Sequence, residues 1–143
     1  MTPQLLLLIL LTLLGAWRSA KWEAREMSLQ RKIHHWLLVM VRASAALLLI
    51  RLILNPPDLL EYLPPLVMCA GVFGPLHRIL LWWYRVNHHP QQNRNLPWHH
   101  LGQAYYDRFW VMLWRGNERA AFISMAAFEI LVAVVAFIQS QHS

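Results

Sequence analysis

The chain has 143 residues, of which 57% are hydrophobic and only 14% carry charge. A soluble domain usually has about a quarter charged residues, because its surface must face water, so this composition argues against a soluble protein. The net charge of +6 is divided between two segments instead of forming one solvated patch, and we therefore expect no nucleic-acid partner. Eight Trp are typical of a membrane interface, where one side of the ring is apolar and the other is wet.

Four hydrophobic runs predict spanning helices over about 3–17, 34–54, 66–86 and 120–139. A spanning helix needs roughly 17–25 apolar residues, which the first run reaches only at its lower limit. A cleaved signal peptide begins with a positive residue, and residues 1–4 contain none, so we expect this helix to be retained as an anchor. The sequence therefore predicts an all-α polytopic membrane protein with a single membrane domain over residues 1–143.

The Lys and Arg residues predict the orientation of these helices. Residues 18–32 and 85–119 each contain five of them, whereas residues 55–65 contain none. The positive-inside rule places the two predicted loops, 18–32 and 87–119, in the cytoplasm. Both termini are then expected on the non-cytoplasmic side of a bacterial inner membrane or a viral membrane.

The second basic loop contains an amphipathic pattern over about 101–115. Its apolar face comprises Leu101, Tyr105, Phe109, Met112 and Leu113, and its polar face comprises Gln103, Asp107 and Arg115. An aromatic amphipathic helix beside spanning segments is typical of a helix that lies in the interface plane. We predict one interfacial helix here.

Charged residues inside the predicted spans are the main candidates for function, since each costs about 2.5–3.5 kcal/mol on insertion scales. Arg42, Arg78 and Glu129 fall at one depth, with His77 beside them, and form the predicted intramembrane charge cluster. One interpretation is a structural ion pair of Glu129 with Arg42 or Arg78. The other is a hydrated cavity for an anion, a lipid phosphate or a proton, because two Arg against one Glu leave a surplus positive charge. Arg51, near its helix end, is expected to reach the headgroups.

The eight His include adjacent pairs, of which His99 and His100 lie near Asp107. Imidazole and carboxylate groups are ligands for zinc or iron, so these three residues are weak candidates for a metal site, whose existence the sequence leaves unknown. The bare pairs lack the HxxxH spacing of membrane di-iron enzymes, and a bis-His haem would have only His77 well buried. No catalytic motif is present, so we expect no catalytic residues and no cofactor.

The segments FGPLHRILLWWYRVN and WHHLGQAYYDRFW resemble a group of small uncharacterised multi-pass membrane proteins from bacteriophages and Bacteroidetes-type bacteria, over residues 73–110. The shared pattern contains Asn87 and a loop-to-helix signature at His99, His100, Leu101, Gly102 and Asp107. The resemblance implies a phage or bacterial origin, and a loop-to-helix joint in which Asp107 pairs with Arg108 or Arg78. No established function accompanies this group.

The sequence favours a non-enzymatic subunit of a membrane-associated assembly. Its expected partners are anionic lipid headgroups at the cytoplasmic face and other membrane subunits or a second copy of the chain. One alternative is a channel or transporter-like module that uses the Arg and Glu layer. Another is a membrane enzyme with a His-bound metal or haem.

Overall fold

The computed structural model describes residues 2–102 and 104–142, which form helices and turns and no strand. The long helices are α1 (Thr2–Ser28), α2 (His35–Ile53), α3 (Leu63–His88) and α6 (Glu118–Gln141), and the short ones are α4 (Pro90–Asn93) and α5 (Tyr105–Leu113). A 3₁₀ turn, Leu59–Tyr62, precedes α3. The four long helices are each long and apolar enough to cross a membrane, so the predicted all-α polytopic fold is confirmed.

Helix α1 is much longer than the sequence predicts, because residues 18–28 are helical and only a short turn separates them from α2. The prediction of a loop over 18–32 was therefore wrong for most of its length. Hydropathy falls after Trp17, but the segment has no Gly or Pro and is rich in Ala, Glu, Lys and Arg, which are strong helix formers. Its buried face also packs on α3, through Ala20 and Ala24 against Tyr84.

The other predicted boundaries shift by a few residues, and most of the shifts have local causes. Helix α3 begins at Leu63, three residues earlier than predicted, because Pro64 and Pro65 occupy its first turn, where a missing N–H is tolerated. The predicted helix over 101–115 is shorter in the structure, as Tyr105–Leu113. Leu101 lies before this helix and is buried among Ala121, Phe122 and Met125 of α6.

Helix α3 is the centre of the bundle, with α1 packed on one side and α6 on the other. Small residues allow both contacts to be close, as is usual between membrane helices. Ala16, Ala20 and Ala24 form a buried stripe on α1. On the α6 side, a Cβ at Gly71 would lie 2.5 Å from the backbone oxygen of Glu129 and 2.8 Å from the Cβ of Ala133.

The bundle has two ends of different character. One buried cluster contains Leu5, Leu8, Ile50, Met68, Cys69 and Ala136, which brings the start of α1 and of α3 together with the last turns of α2 and α6. Helices α1 and α3 therefore run in one direction, and α2 and α6 run in the other. We call the end with this cluster the neutral end. The opposite end carries the Lys and Arg of residues 18–32 and 85–119 and is called the basic end.

Helix α2 is peripheral to the bundle. Ile50 is its only buried residue, whereas α3 buries six residues and α6 buries seven. The side chains of Trp36, Met40, Leu48 and Leu52 are 59–73% exposed. Helix α2 thus makes few apolar contacts with the rest of the chain, so its packing on the bundle depends largely on polar contacts.

Candidate functional site: an intramembrane charge layer

The first half of the charge layer lies between α1, α2 and α3 and centres on the carboxylate of Glu23. Arg42 of α2 donates to Glu23 Oε1 over 2.8 Å and to the hydroxyl of Ser19 over 2.7 Å. His77 Nε2 of α3 lies 2.5 Å from Glu23 Oε2. Glu23 is only 3% exposed, so this carboxylate exchanges its hydration for one guanidinium and one imidazole.

Phe73, one turn before His77, completes this site with its aromatic ring. The imidazole of His77 stacks on the Phe73 ring with a centroid separation of 4.9 Å. The guanidinium of Arg42 lies 4.8 Å from the same ring centroid, within the range of a cation–π contact. Arg42 therefore enters the bundle between α1 and α3 and is the polar anchor of α2.

The second half of the layer lies on the other side of α3. Arg78 Nη2 donates to Glu129 Oε1 of α6 over 2.6 Å, with both side chains nearly buried. Gly74 leaves the room for this pair, since a Cβ at Gly74 would overlap the Glu129 carboxylate. Because His77 and Arg78 are consecutive residues of one helix, the two halves of the layer share a depth and face different neighbours.

The structure confirms one of the two predicted pairings and corrects the charge balance. Arg78 pairs with Glu129 as predicted, whereas Arg42 pairs with Glu23. The predicted surplus of positive charge is therefore wrong, since each of the two arginines has a carboxylate. Arg51 is exposed and lies 3.4 Å from the hydroxyl of Tyr62 near the neutral end, away from the layer.

Glu23 belongs to this site but is not among the residues predicted from the sequence, because it lies in the segment predicted as a loop. A signal for it was present: Ser19 and Glu23 are four residues apart and lie beside the stripe of small residues Ala16, Ala20 and Ala24. Polar residues at this spacing next to small ones are typical of an interhelical contact in a membrane.

The predicted loop-to-helix signature forms a local turn at the basic end. Asp107 accepts a hydrogen bond from the backbone N–H of Gly102 over 3.2 Å. Its predicted ion pair is not formed, because Arg108 pairs with Glu118 over 3.6 Å and Arg78 with Glu129. His100 Nδ1 lies 3.9 Å from Glu118. Burial lowers the pKa of His100 below its usual value, so the imidazole is mainly neutral at pH 7.

The candidate metal ligands do not form a site together. Within residues 2–102 and 104–142, no group of three or more His, Cys, Asp or Glu side chains is placed to hold a metal ion. His99 instead contacts the ring of Trp98, with a centroid separation of 5.1 Å. The weak prediction of a metal centre at His99, His100 and Asp107 therefore has no support from the geometry.

No family model, curated protein or solved structure matches this chain. The resemblance of residues 73–110 to phage and Bacteroidetes-type membrane proteins therefore stays a prediction.

Because Arg78 and Glu129 form a buried ion pair, we expect the stability of the fold to depend strongly on both residues. Arg78→Met leaves a buried carboxylate without its cation, and Glu129→Gln leaves a buried guanidinium without its anion. Each single substitution is expected to lower the free energy of unfolding by about 3–5 kcal/mol. The double variant removes both charges and is expected to be more stable than either single variant. The free energy of unfolding is measured in lipid bicelles for the unsubstituted chain, the two single variants and the double variant. If the loss in the double variant equals the sum of the two single losses, the ion-pair interpretation is contradicted.

Proposed function

We propose that this chain is a non-enzymatic integral membrane subunit that acts by assembly, with α2 as the helix that contacts its partner. The observation that carries the proposal is the packing of α2, which spans the membrane but buries only Ile50 against its own chain. Association of membrane helices is driven by close packing and interhelical hydrogen bonds. Because most of the surface of α2 is not packed within its own bundle, this surface is free to pack against a second subunit.

Arg42 gives this proposal a second support. At 1.5 Å rise per residue it lies about 10 Å from the start of α2, within the span. Its side chain is 29% exposed, twice the 14% of Arg78. Exposure of a guanidinium to hydrocarbon is costly, and a partner helix that covers this side of α2 would remove that cost. Ala45, which lies beside Arg42 one turn further along α2, is small and exposed, which suits a close helix contact.

The balance of charge favours assembly over transport. The hypothesis of a channel or transporter depended on an unpaired positive charge in the layer, and Glu23 now supplies the missing carboxylate. Paired charges that join α1 and α6 to α3, and α2 to α1, hold a bundle together. The charge layer then stabilises the helix bundle of the subunit, and the outer face of α2 contacts the partner.

The orientation belongs to the same proposal. The four spans place both termini at the neutral end, and the basic end carries ten Lys and Arg in residues 18–32 and 85–119. By the positive-inside rule, the basic end faces the cytoplasm of a bacterial inner membrane or the corresponding side of a viral membrane. The exposed aromatic and apolar residues of α5, among them Tyr105 and Met112, then lie at the headgroup level on that side.

Fusions to alkaline phosphatase test this orientation, because the enzyme needs disulfides that form only outside the cytoplasm. A fusion at the C-terminus is expected to be active, and a fusion after Asn95 is expected to be inactive. The reverse pattern, or activity in both fusions, would contradict the proposed orientation.

Site-specific crosslinking tests the assembly through α2. Leu48→Cys is introduced into a Cys69→Ala background, which removes the only other thiol. A short maleimide–diazirine reagent, which bonds to the introduced thiol and, on illumination, to any side chain beside it, is then applied to native membranes of the cell that encodes the chain. We expect a discrete product of higher mass, whose size and peptides distinguish a second copy from a different subunit.

The matched control is Leu131→Cys on α6. Leu48 and Leu131 are 59% and 63% exposed, and each lies at the same distance along its helix from the basic end. The control is expected to give no discrete product. Equal crosslinking at both positions would indicate random collision, and no product at Leu48 would contradict a partner at α2.

A further inference from the structure

A polar pocket of about 480 Å³ lies at the basic end, between the end of α3 and the segment that follows it. Among the residues that the structure describes, its lining has two guanidinium groups, one imidazole, four side-chain amides and no carboxylate. These groups belong to Arg85, Gln91, Gln92, Asn93, Arg94, Asn95 and His100, and Leu96 and Pro97 complete the lining. This lining is distinct from the charge layer, in which each arginine is paired with a carboxylate. A pocket with cations and hydrogen-bond donors but no acid has a positive electrostatic potential and attracts anions.

The walls of the pocket are fixed to the bundle by specific hydrogen bonds. Trp82 of α3 donates its indole N–H to the carbonyl oxygen of Leu96 over 2.7 Å. Gln92 donates to the carbonyl oxygen of Ser28, at the end of α1, over 3.0 Å. Asn93 is buried and donates to the carbonyl oxygen of His89 over 3.1 Å. The segment is therefore a built structure and can hold its polar groups in a preformed arrangement.

Among the described residues of the lining, Arg85 has a buried hydrogen-bond donor that lacks an acceptor. Its Nε atom is buried and has no hydrogen-bond partner among the described residues. The nearby acids are used elsewhere, since Glu118 pairs with Arg108 and Asp107 accepts from the backbone of Gly102. A buried donor on a cation costs free energy until an acceptor reaches it, and an anionic acceptor compensates best.

We propose that this pocket binds a phosphate-class anion, with Arg85 and Arg94 as its cationic ligands and the side-chain amides of Gln91 and Asn95 as further donors. The same chemistry is supplied by the phosphodiester of a membrane lipid or by free inorganic phosphate. The pocket follows directly on the end of a helix that is long and apolar enough to span a membrane, and lipid headgroups lie at the ends of such spans. The proposal does not depend on the assembly through α2.

Binding is measured on the full chain in nanodiscs of zwitterionic phosphatidylcholine. In one arm, inorganic phosphate is titrated by calorimetry. In the other, phosphatidylglycerol is mixed into the bilayer, and the lipid that stays bound is counted by native mass spectrometry. Retention of phosphatidylglycerol alone assigns the ligand to lipid, and binding of phosphate alone assigns it to the free anion. Binding of both shows that the phosphate group is sufficient, and binding of neither overturns the proposal.

Variants distinguish this pocket from general attraction to a basic surface. Arg85→Gln and Arg94→Gln are each expected to weaken binding about tenfold, whereas Arg85→Lys is expected to retain part of it. Arg119→Gln removes an exposed charge at the same end but outside the pocket and is expected to change binding less than about twofold. An equal loss in Arg119→Gln overturns the proposal. If Arg85→Gln does not fold, the binding affinities of Arg94→Gln and Arg119→Gln are compared instead, and equal affinities overturn the proposal.

The pH dependence of binding is an independent readout. His100 faces Arg85 of α3, Asp107 and Arg108 of α5, and Glu118 of α6. Burial lowers the pKa of His100, Arg85 and Arg108 lower it further, and Glu118 and Asp107 oppose this. A bound anion offsets the repulsion from Arg85, so it raises the pKa of His100 and must bind more tightly when His100 is protonated. Phosphatidylglycerol, whose charge stays constant, is expected to bind more tightly near pH 5.5 than near pH 8, roughly across the His titration range. The same affinity at both pH values would overturn the proposal, because His100 lines the pocket.

Discussion

Charged side chains are costly to place in hydrocarbon, and in this chain that cost is met by ion pairs between helices. An arginine within a span is tolerated only when a carboxylate or water meets it, and the chain contains two such arginines inside the bundle. Glu23 meets Arg42, and Glu129 meets Arg78. Since His77 and Arg78 are neighbours on α3, one helix takes part in both sets of contacts. The central position of α3 follows from this arrangement as much as from its apolar packing.

Close helix packing is what allows the charges to meet. Gly71 and Gly74 bring the backbone of α3 near that of α6, so the short Glu129 side chain reaches Arg78. The alanine stripe of α1 has the same role on the other side, where Glu23 comes within reach of His77. Helix α2 buries only Ile50 and therefore depends more on the contacts of Arg42. The chain therefore combines a closely packed core of α1, α3 and α6 with one weakly packed helix, and the proposed assembly depends on that difference.

The four spans and the depth of Arg42, Arg78 and Glu129 could be predicted from the sequence, because hydropathy and helix rise determine them. The pairing could not be predicted, because it depends on which faces meet. Arg42 lies at the same depth as Glu129, yet α2 packs beside α1 and meets Glu23. Hydropathy also ended the first helix at Trp17, although the helix propensity of residues 18–28 continues it to Ser28. The polar pocket around Arg85 required the fold of the 90–100 segment, which no periodic pattern indicates.

A comparison of Glu23→Gln with Glu26→Gln tests whether buried charge pairs hold the bundle together. Both residues are on α1, but Glu23 is buried between Arg42 and His77, whereas Glu26 pairs over 3.4 Å with an Arg31 side chain that is 65% exposed. The free energy of unfolding in lipid bicelles is expected to fall by about 3 kcal/mol or more for Glu23→Gln. For Glu26→Gln we expect a loss of less than about 1 kcal/mol. Equal and small losses for the two variants would show that buried charge pairing does not hold this bundle together.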